Sequence, residues 1–217
     1  MPDADAAAQT PDRRALHEDE RIAMPLAPLL DATEFPETDQ DLLATASKAY
    51  GHVLNAWAAI GNSPGLFSTY LPFVRQLNGP GKLEPRIKEF VAVRIAVLMH
   101  CRYTASHRCT AALANGATEQ ELAAVAIGDY SGFTERERLA LQLTDEMTTE
   151  LPTRNRMDSR SGLSAQLGQA AQALFDPGAL VELTMSVGLW NAMTRFHRVM
   201  DIDLDMPEPP AAVDSAL

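Results

Sequence analysis

The stretch from Arg86 to Gly116 concentrates the acid–base and nucleophilic side chains of this sequence. Glu89 stands alone among Ile87, Phe90, Val91 and Val93. A carboxylate buried unpaired on an apolar helix has a raised pKa, which suits proton transfer near neutral pH. The competing role is an ordinary exposed Glu, or one paired with Arg86 or Arg94. Downstream, His100, Cys101, Tyr103, Thr104, His107, Arg108 and Cys109 bring imidazoles, thiols, a phenol and a guanidinium into one turn-and-helix unit. Cys101 falls near the expected start of that helix, where the dipole favours a thiolate. Its plain alternative is a small buried hydrophobe. Cys109 lies deeper in the helix and reads as core. The spacing of the two cysteines corresponds to about 12 Å of helix rise, whereas a disulfide needs Cα atoms within about 7 Å. They cannot pair within one intact helix.

His107 is the imidazole placed to act as acid or base, unless it faces water. His100 and His107 are separated by about 10 Å along a helix, a poor pair for chelation, so no metal is expected. Arg108 suits a substrate carboxylate or a developing enolate; its plain alternative is a solvated surface charge. Tyr103 can donate a hydrogen bond to the same substrate or sit at the edge of the core. Thr104 and His100 join the candidate substrate-binding set by position. In the last helix Asn191 and Arg195 are candidates to line a pocket beside Trp190, while Trp190 and Met193 read more simply as packing residues.

These residues need helices to position them, and helical spacing dominates the chain. Leu42, Leu43, Ala46, Tyr50, Val53, Leu54 and Trp57 predict one helix over Asp39 to Ile60. Ser63 and Pro64 then cap and open a helix running to Leu77. Pro85 opens an apolar helix to about Met99. The next spans Tyr103 to Asn115 and ends at Gly116, a left-handed cap. Thr118 with Glu121, and Thr134 with Glu137, are capping boxes for two more. A weaker pattern covers 158–174, and Asp176-Pro177 starts a final helix from Ala179 to about Met200. Nothing alternates as a strand does, so the expected fold is all-α, a bundle of about six to eight helices.

The chain has 217 residues, is 46% hydrophobic and carries a formal net charge of −11. That suits one domain. We expect a disordered acidic tail over 1–22, a helical domain over 23–202 and an acidic tail over 203–217. The acidity argues against nucleic acid or an anionic membrane as partner. The first residues lack the apolar segment of a signal peptide, and the apolar run Phe90 to Met99 is short and contains Arg94. Two cysteines do not make a disulfide framework. The expectation is a cytoplasmic protein that binds a small-molecule substrate. It is also expected to associate with itself, because the Phe90–Met99 run and the Trp/Phe-bearing last helix have surface to hide.

Four pieces in order resemble the carboxymuconolactone decarboxylase/alkylhydroperoxidase-D-like superfamily. They are Leu83-Glu84-Pro85-Arg86-Ile87-Lys88-Glu89 before the apolar helix; Cys101-x-Tyr103 followed by Gly116 to Leu122; Phe133 to Arg138; and Glu182-Leu183, Val187 to Asn191 and Arg195-Phe196. The peroxidase branch of that family uses a Glu and then Cys-x-x-Cys-x-x-x-His. Glu89 and Cys101 match the Glu and the first Cys. Thr104 occupies the second Cys position and Arg108 the His position, with His107 one place early. The decarboxylase-like branch has a Tyr, matched by Tyr103, often with a Trp two residues on, where this chain has Ala105.

The resemblance implies an all-helical bundle, commonly a trimer or hexamer. It further implies a decarboxylase-like enzyme working without a cofactor on a small organic acid, lactone or related carbonyl compound. Glu89 would then move the proton, Arg108 and Tyr103 would hold oxygens, and His107 or Cys101 would assist. Two alternatives follow from the same resemblance: a Cys101-based peroxidase, and a non-catalytic ligand-binding or stress-associated member of the fold.

Overall fold

The computed structural model describes residues 25–151 and 162–217. The expected tail over 1–22 lies outside them, as do the first residues of the helix expected over 158–174. Among the described residues there are ten α-helices and no strand. They are α1 (Glu37–Ser47), α2 (Asn55–Ile60), α3 (Leu66–Asn78), α4 (Pro85–Leu98), α5 (Arg102–Ala114), α6 (Glu119–Ile127), α7 (Glu135–Asp145), α8 (Ala165–Leu174), α9 (Pro177–Val199) and α10 (Ala211–Asp214). A π-helical turn, Glu146–Glu150, continues α7. None of these helices is long and apolar enough to cross a membrane.

The count exceeds the six to eight expected for two local reasons. The single helix predicted over Asp39–Ile60 is two helices. Gly51 turns the chain with φ 78°, and Leu54 is extended before α2 begins. At the other end, residues 203–217, expected as an acidic tail, are packed onto the body and form α10. Arg102 pairs with Glu208 and Asp214, Ser106 donates to the Pro207 carbonyl, and Val213 is fully buried. Glu208 and Asp214 of this segment pair with Arg102 at the surface, Asp205 pairs with His107, and the buried Val213 docks on the body.

The start of α3 also differs from the prediction. Ser63 makes no cap; Gly65 takes φ 78°, and the buried Asp39 of α1 accepts from the Gly65 and Ser68 backbone N–H groups. A carboxylate from another helix thus satisfies donors that a local serine was expected to take. The two capping boxes and the Asp176 cap of α9 form as their sequences predict.

Helix α4 is the axis of the bundle. Its apolar residues fall on every side, and a helix of that kind has to be covered all round. α5, α6, α7 and α9 cover it, and every residue from Ile87 to Val97 except Arg94 is buried. This removes the reason given for self-association. The Phe90–Val97 run and Trp190 are covered within one chain, and the exposed apolar residues of α9 are Val181, Met185 and Val199.

Candidate active site

Residues of α2, α3, α5 and α9 enclose a cavity of about 290 Å³. α5 sends Tyr103, Thr104, His107 and Arg108 to it; these positions share one helix face. α9 contributes Trp190 and His197, two turns apart on one stripe, and α2 and α3 add Trp57 and Tyr70. Six of these side chains are aromatic or imidazole rings, and three of them pack closely. The Tyr103 ring lies 4.5 Å from that of His107 and 4.7 Å from that of His197, centroid to centroid.

Two polar networks hold the imidazoles. In the first, Asp205 accepts from His107 Nε2–H at 2.6 Å, from Tyr103 O–H at 2.9 Å and from the Asn55 N–H at 2.6 Å. Burial works to raise the Asp205 pKa, but these hydrogen bonds outweigh it and hold the carboxyl below its ordinary value. In the second, Thr104 Oγ1 lies 2.9 Å from His197 Nδ1 and 3.2 Å from Cys101 Sγ. Burial, followed by the nearby His107, drives the His197 pKa down to about 3. His197 is therefore neutral at pH 7, with Nδ1 engaged and Nε2 left without a partner among the described residues.

Arg108 joins Glu89 through Nη1, 3.2 Å from the carboxylate, and stands over the Trp190 ring at 4.9 Å. Burial raises the Glu89 pKa, with the Arg108 charge opposing the shift. Glu89 thus reaches the cavity through Arg108 instead of lining it.

Four of the predicted site residues, Tyr103, Thr104, His107 and Arg108, meet at the cavity. Tyr103 presents its ring only, because its hydroxyl donates to Asp205 and accepts from the Ala56 N–H. Cys101 lies behind Thr104, is 1% exposed, and has a thiol pKa raised by burial against the pull of the Thr104 hydrogen bonds. The remaining three are placed elsewhere. His100 is an exposed turn residue at φ 51°, its Nδ1 2.7 Å from the Leu217 carbonyl. Asn191 donates to Thr148, and exposed Arg195 donates back to Asn191. Asn191 sits about 100° and Arg195 about 140° round α9 from Trp190, which turns both away from the Trp190–His197 stripe.

His197 and Asp205 were not read from the sequence. His197 carried one signal, a histidine continuing the buried stripe of Leu183 and Trp190 along α9. Asp205 carried none, since its partners Tyr103 and His107 lie about a hundred residues away. Among the described residues no group of three or more His, Cys, Asp or Glu side chains is placed to hold a metal ion.

Residues 64–146, from just before α3 to the start of the π-helical turn, match the model of the carboxymuconolactone decarboxylase family. The uncharacterized protein YnjA of Escherichia coli is 29% identical over 157 residues, covering 70% of this chain and 80% of that one. An alkylhydroperoxidase AhpD core, an uncharacterized peroxidase-related protein from Ralstonia eutropha, superposes with a TM-score of 0.69 at 12% identity over 88% of this chain and 95% of its own. The debrominase Bmp8 superposes with a TM-score of 0.63 at 16% identity, over 91% and 96% of the two chains. Those two likenesses speak to fold. Residues 64–146, across α3 to α7, are thus similar to the carboxymuconolactone decarboxylase family, and the fold along most of the chain is that of the alkylhydroperoxidase-D-like helical bundles.

Proposed function

We propose that this protein is a decarboxylase-like enzyme that acts by acid–base chemistry on a small organic acid, lactone or related carbonyl compound. One observation carries this reading. Two imidazoles and a guanidinium line one open, aromatic-walled cavity, while the thiol is sealed behind Thr104. A neutral imidazole with a free nitrogen can take a proton from carbon beside a carbonyl or return one. His197 offers Nε2 for this, and its Nδ1 can exchange a proton with the Thr104 hydroxyl. His107, fixed by Asp205, is the second proton-transfer group. Arg108 stabilises the enolate oxygen that forms as the proton or carboxyl group leaves. Glu89 then serves as the positioning residue of Arg108 rather than as the proton carrier.

The thiol peroxidase alternative is disfavoured by the same geometry. Thr104 occupies the place of a resolving thiol, and Cys109 is buried, with burial pushing its pKa up to about 12. Peroxide consumption with a dithiol donor is expected to be the same for wild type and Cys101→Ser. A screen of small lactones and of β-keto and unsaturated acids, read by NMR in deuterated water, is expected to give turnover or deuterium exchange that survives Cys101→Ser. Robust Cys101-dependent peroxide turnover would transfer the assignment to the peroxidase class. A bound acid that neither turns over nor exchanges would transfer it to the non-catalytic class.

A further inference from the structure

Three buried nitrogens on residues lining the cavity have no hydrogen-bond partner among the described residues: Arg108 Nε, Trp190 Nε1 and His197 Nε2. Only five side-chain atoms among the described residues are buried in this state, so most of them belong to this one site. Native structures rarely leave such groups unpaired without a functional reason. Trp190 and His197 are 6% and 4% exposed, too deep for bulk water to serve them freely. Arginine Nε and indole Nε1 can only donate, whereas imidazole Nε2 donates or accepts. The missing partner must therefore bring acceptor atoms. Its charge is indicated by the walls, where Arg75 and Arg108 line the cavity and no carboxylate does among the described residues. Its shape is indicated too, by the flat faces of Trp57, Tyr70 and Trp190. Arg108 and Trp190 are neighbours, stacked at 4.9 Å, and Glu89 fixes the guanidinium from Nη1, leaving the Nε edge unpaired.

We infer that the cavity binds the anion of a small planar acid, with its carboxylate on Arg108 Nε and Trp190 Nε1 and its ring or conjugated system against the aromatic walls. This rests on the acid–base reading for the identity of the site and narrows its ligand class. His197 Nε2 then faces the conjugated part of the ligand, where the proton chemistry takes place.

Benzoate and benzamide test the inference, since they share shape and differ in charge. The chain's two tryptophans, Trp57 and Trp190, both line the cavity, so intrinsic fluorescence of the intact protein reports its occupancy. Benzoate is expected to change that fluorescence and, by calorimetry, to bind about tenfold or more tightly than benzamide. Trp190→Phe keeps an aromatic ring and removes the N–H. It is expected to weaken benzoate about tenfold by calorimetry and to weaken benzamide less, because the neutral amide makes the weaker hydrogen bond to the lost N–H. Equal binding of benzoate and benzamide overturns the inference, as does absence of benzoate binding at about 10 mM. So does a folded Trp190→Phe that binds benzoate like wild type; should that variant not fold, the wild-type contrast decides alone. None of these readouts uses turnover. Benzoate selectivity with no turnover of any acid removes the enzyme reading and leaves the anion site, while turnover of lactones without benzoate selectivity does the reverse.

Discussion

Glu182→Ala is expected to destabilise the fold by about 3–5 kcal/mol, the usual result of stranding a buried charge. Lys88 of α4 has a side chain only 1% exposed, and its Nζ lies 2.8 Å from Glu182 and 2.9 Å from the Gly79 carbonyl. The same carboxylate accepts from the Lys82 and Leu83 backbone N–H groups. Glu182 therefore clamps the end of α3, the loop before α4 and the first turns of α9; α3 and α9 are two of the helices that frame the cavity. A Cβ on Gly81 would collide with this pinned carboxylate, which is why the loop needs glycine there. Truncation to alanine leaves an ammonium with one carbonyl partner and two N–H groups without an acceptor. For a chain of this size the expected fall in melting temperature is about 6–20 °C. The pH dependence has a definite sign. Burial works to raise the Glu182 pKa, but the hydrogen bonds from Lys82, Lys88 and Leu83 outweigh it and bring it down from 4.5 to about 2. A carboxyl depressed by folding adds stability that is fully present above its unfolded pKa and is lost as pH falls through the folded one. The gap in melting temperature between wild type and variant should therefore narrow as pH falls from 4.5 toward 2. A melting temperature that barely moves at neutral pH would show that Lys88 is served by other partners.

What the sequence conveyed of this fold depended on how far apart the interacting residues are. The capping boxes at Thr118 and Thr134 and the Asp176 cap join residues within one turn, and all three form as read. The apolar run of α4 announced a buried helix, but not that its own chain covers every side of it. The α1–α2 break was missed because apolar spacing continues across Gly51, while the restart depends on Asp205, far along the chain. The start of α3 was misassigned for a similar reason, since its cap is Asp39 on α1. At the site, the residues of α5 were legible because one helix face carries them all. The second imidazole was not, because the family's pattern directs attention to α5, and here α9 supplies His197 beside an α5 that carries Arg108 in the motif's His position.

That exchange of an imidazole between helices leads to the second large effect. His197→Phe is expected to lower turnover of the natural substrate by about 10²–10⁴-fold, the usual range for loss of a general acid or base. The fold should respond differently. The imidazole is 4% exposed and keeps one ring nitrogen unpaired, a state that costs about 1–3 kcal/mol in a folded protein. Phenylalanine removes that cost and is larger, with the adjoining cavity to take the added volume, and Thr104 Oγ1 retains Cys101 Sγ as a neighbour. The variant's stability is therefore expected to lie within about 1 kcal/mol of wild type, or above it. A residue kept only for packing would behave in the opposite way, with turnover following whatever stability is lost. Paired melting and kinetic measurements on His197→Phe, with Glu89→Gln beside it, separate the two roles. Glu89→Gln keeps a hydrogen-bonding partner for Arg108, so a positioning role predicts the smaller loss of turnover there. If instead Glu89→Gln abolishes turnover while folded His197→Phe retains it, the proton is carried by Glu89 and the α9 imidazole is structural.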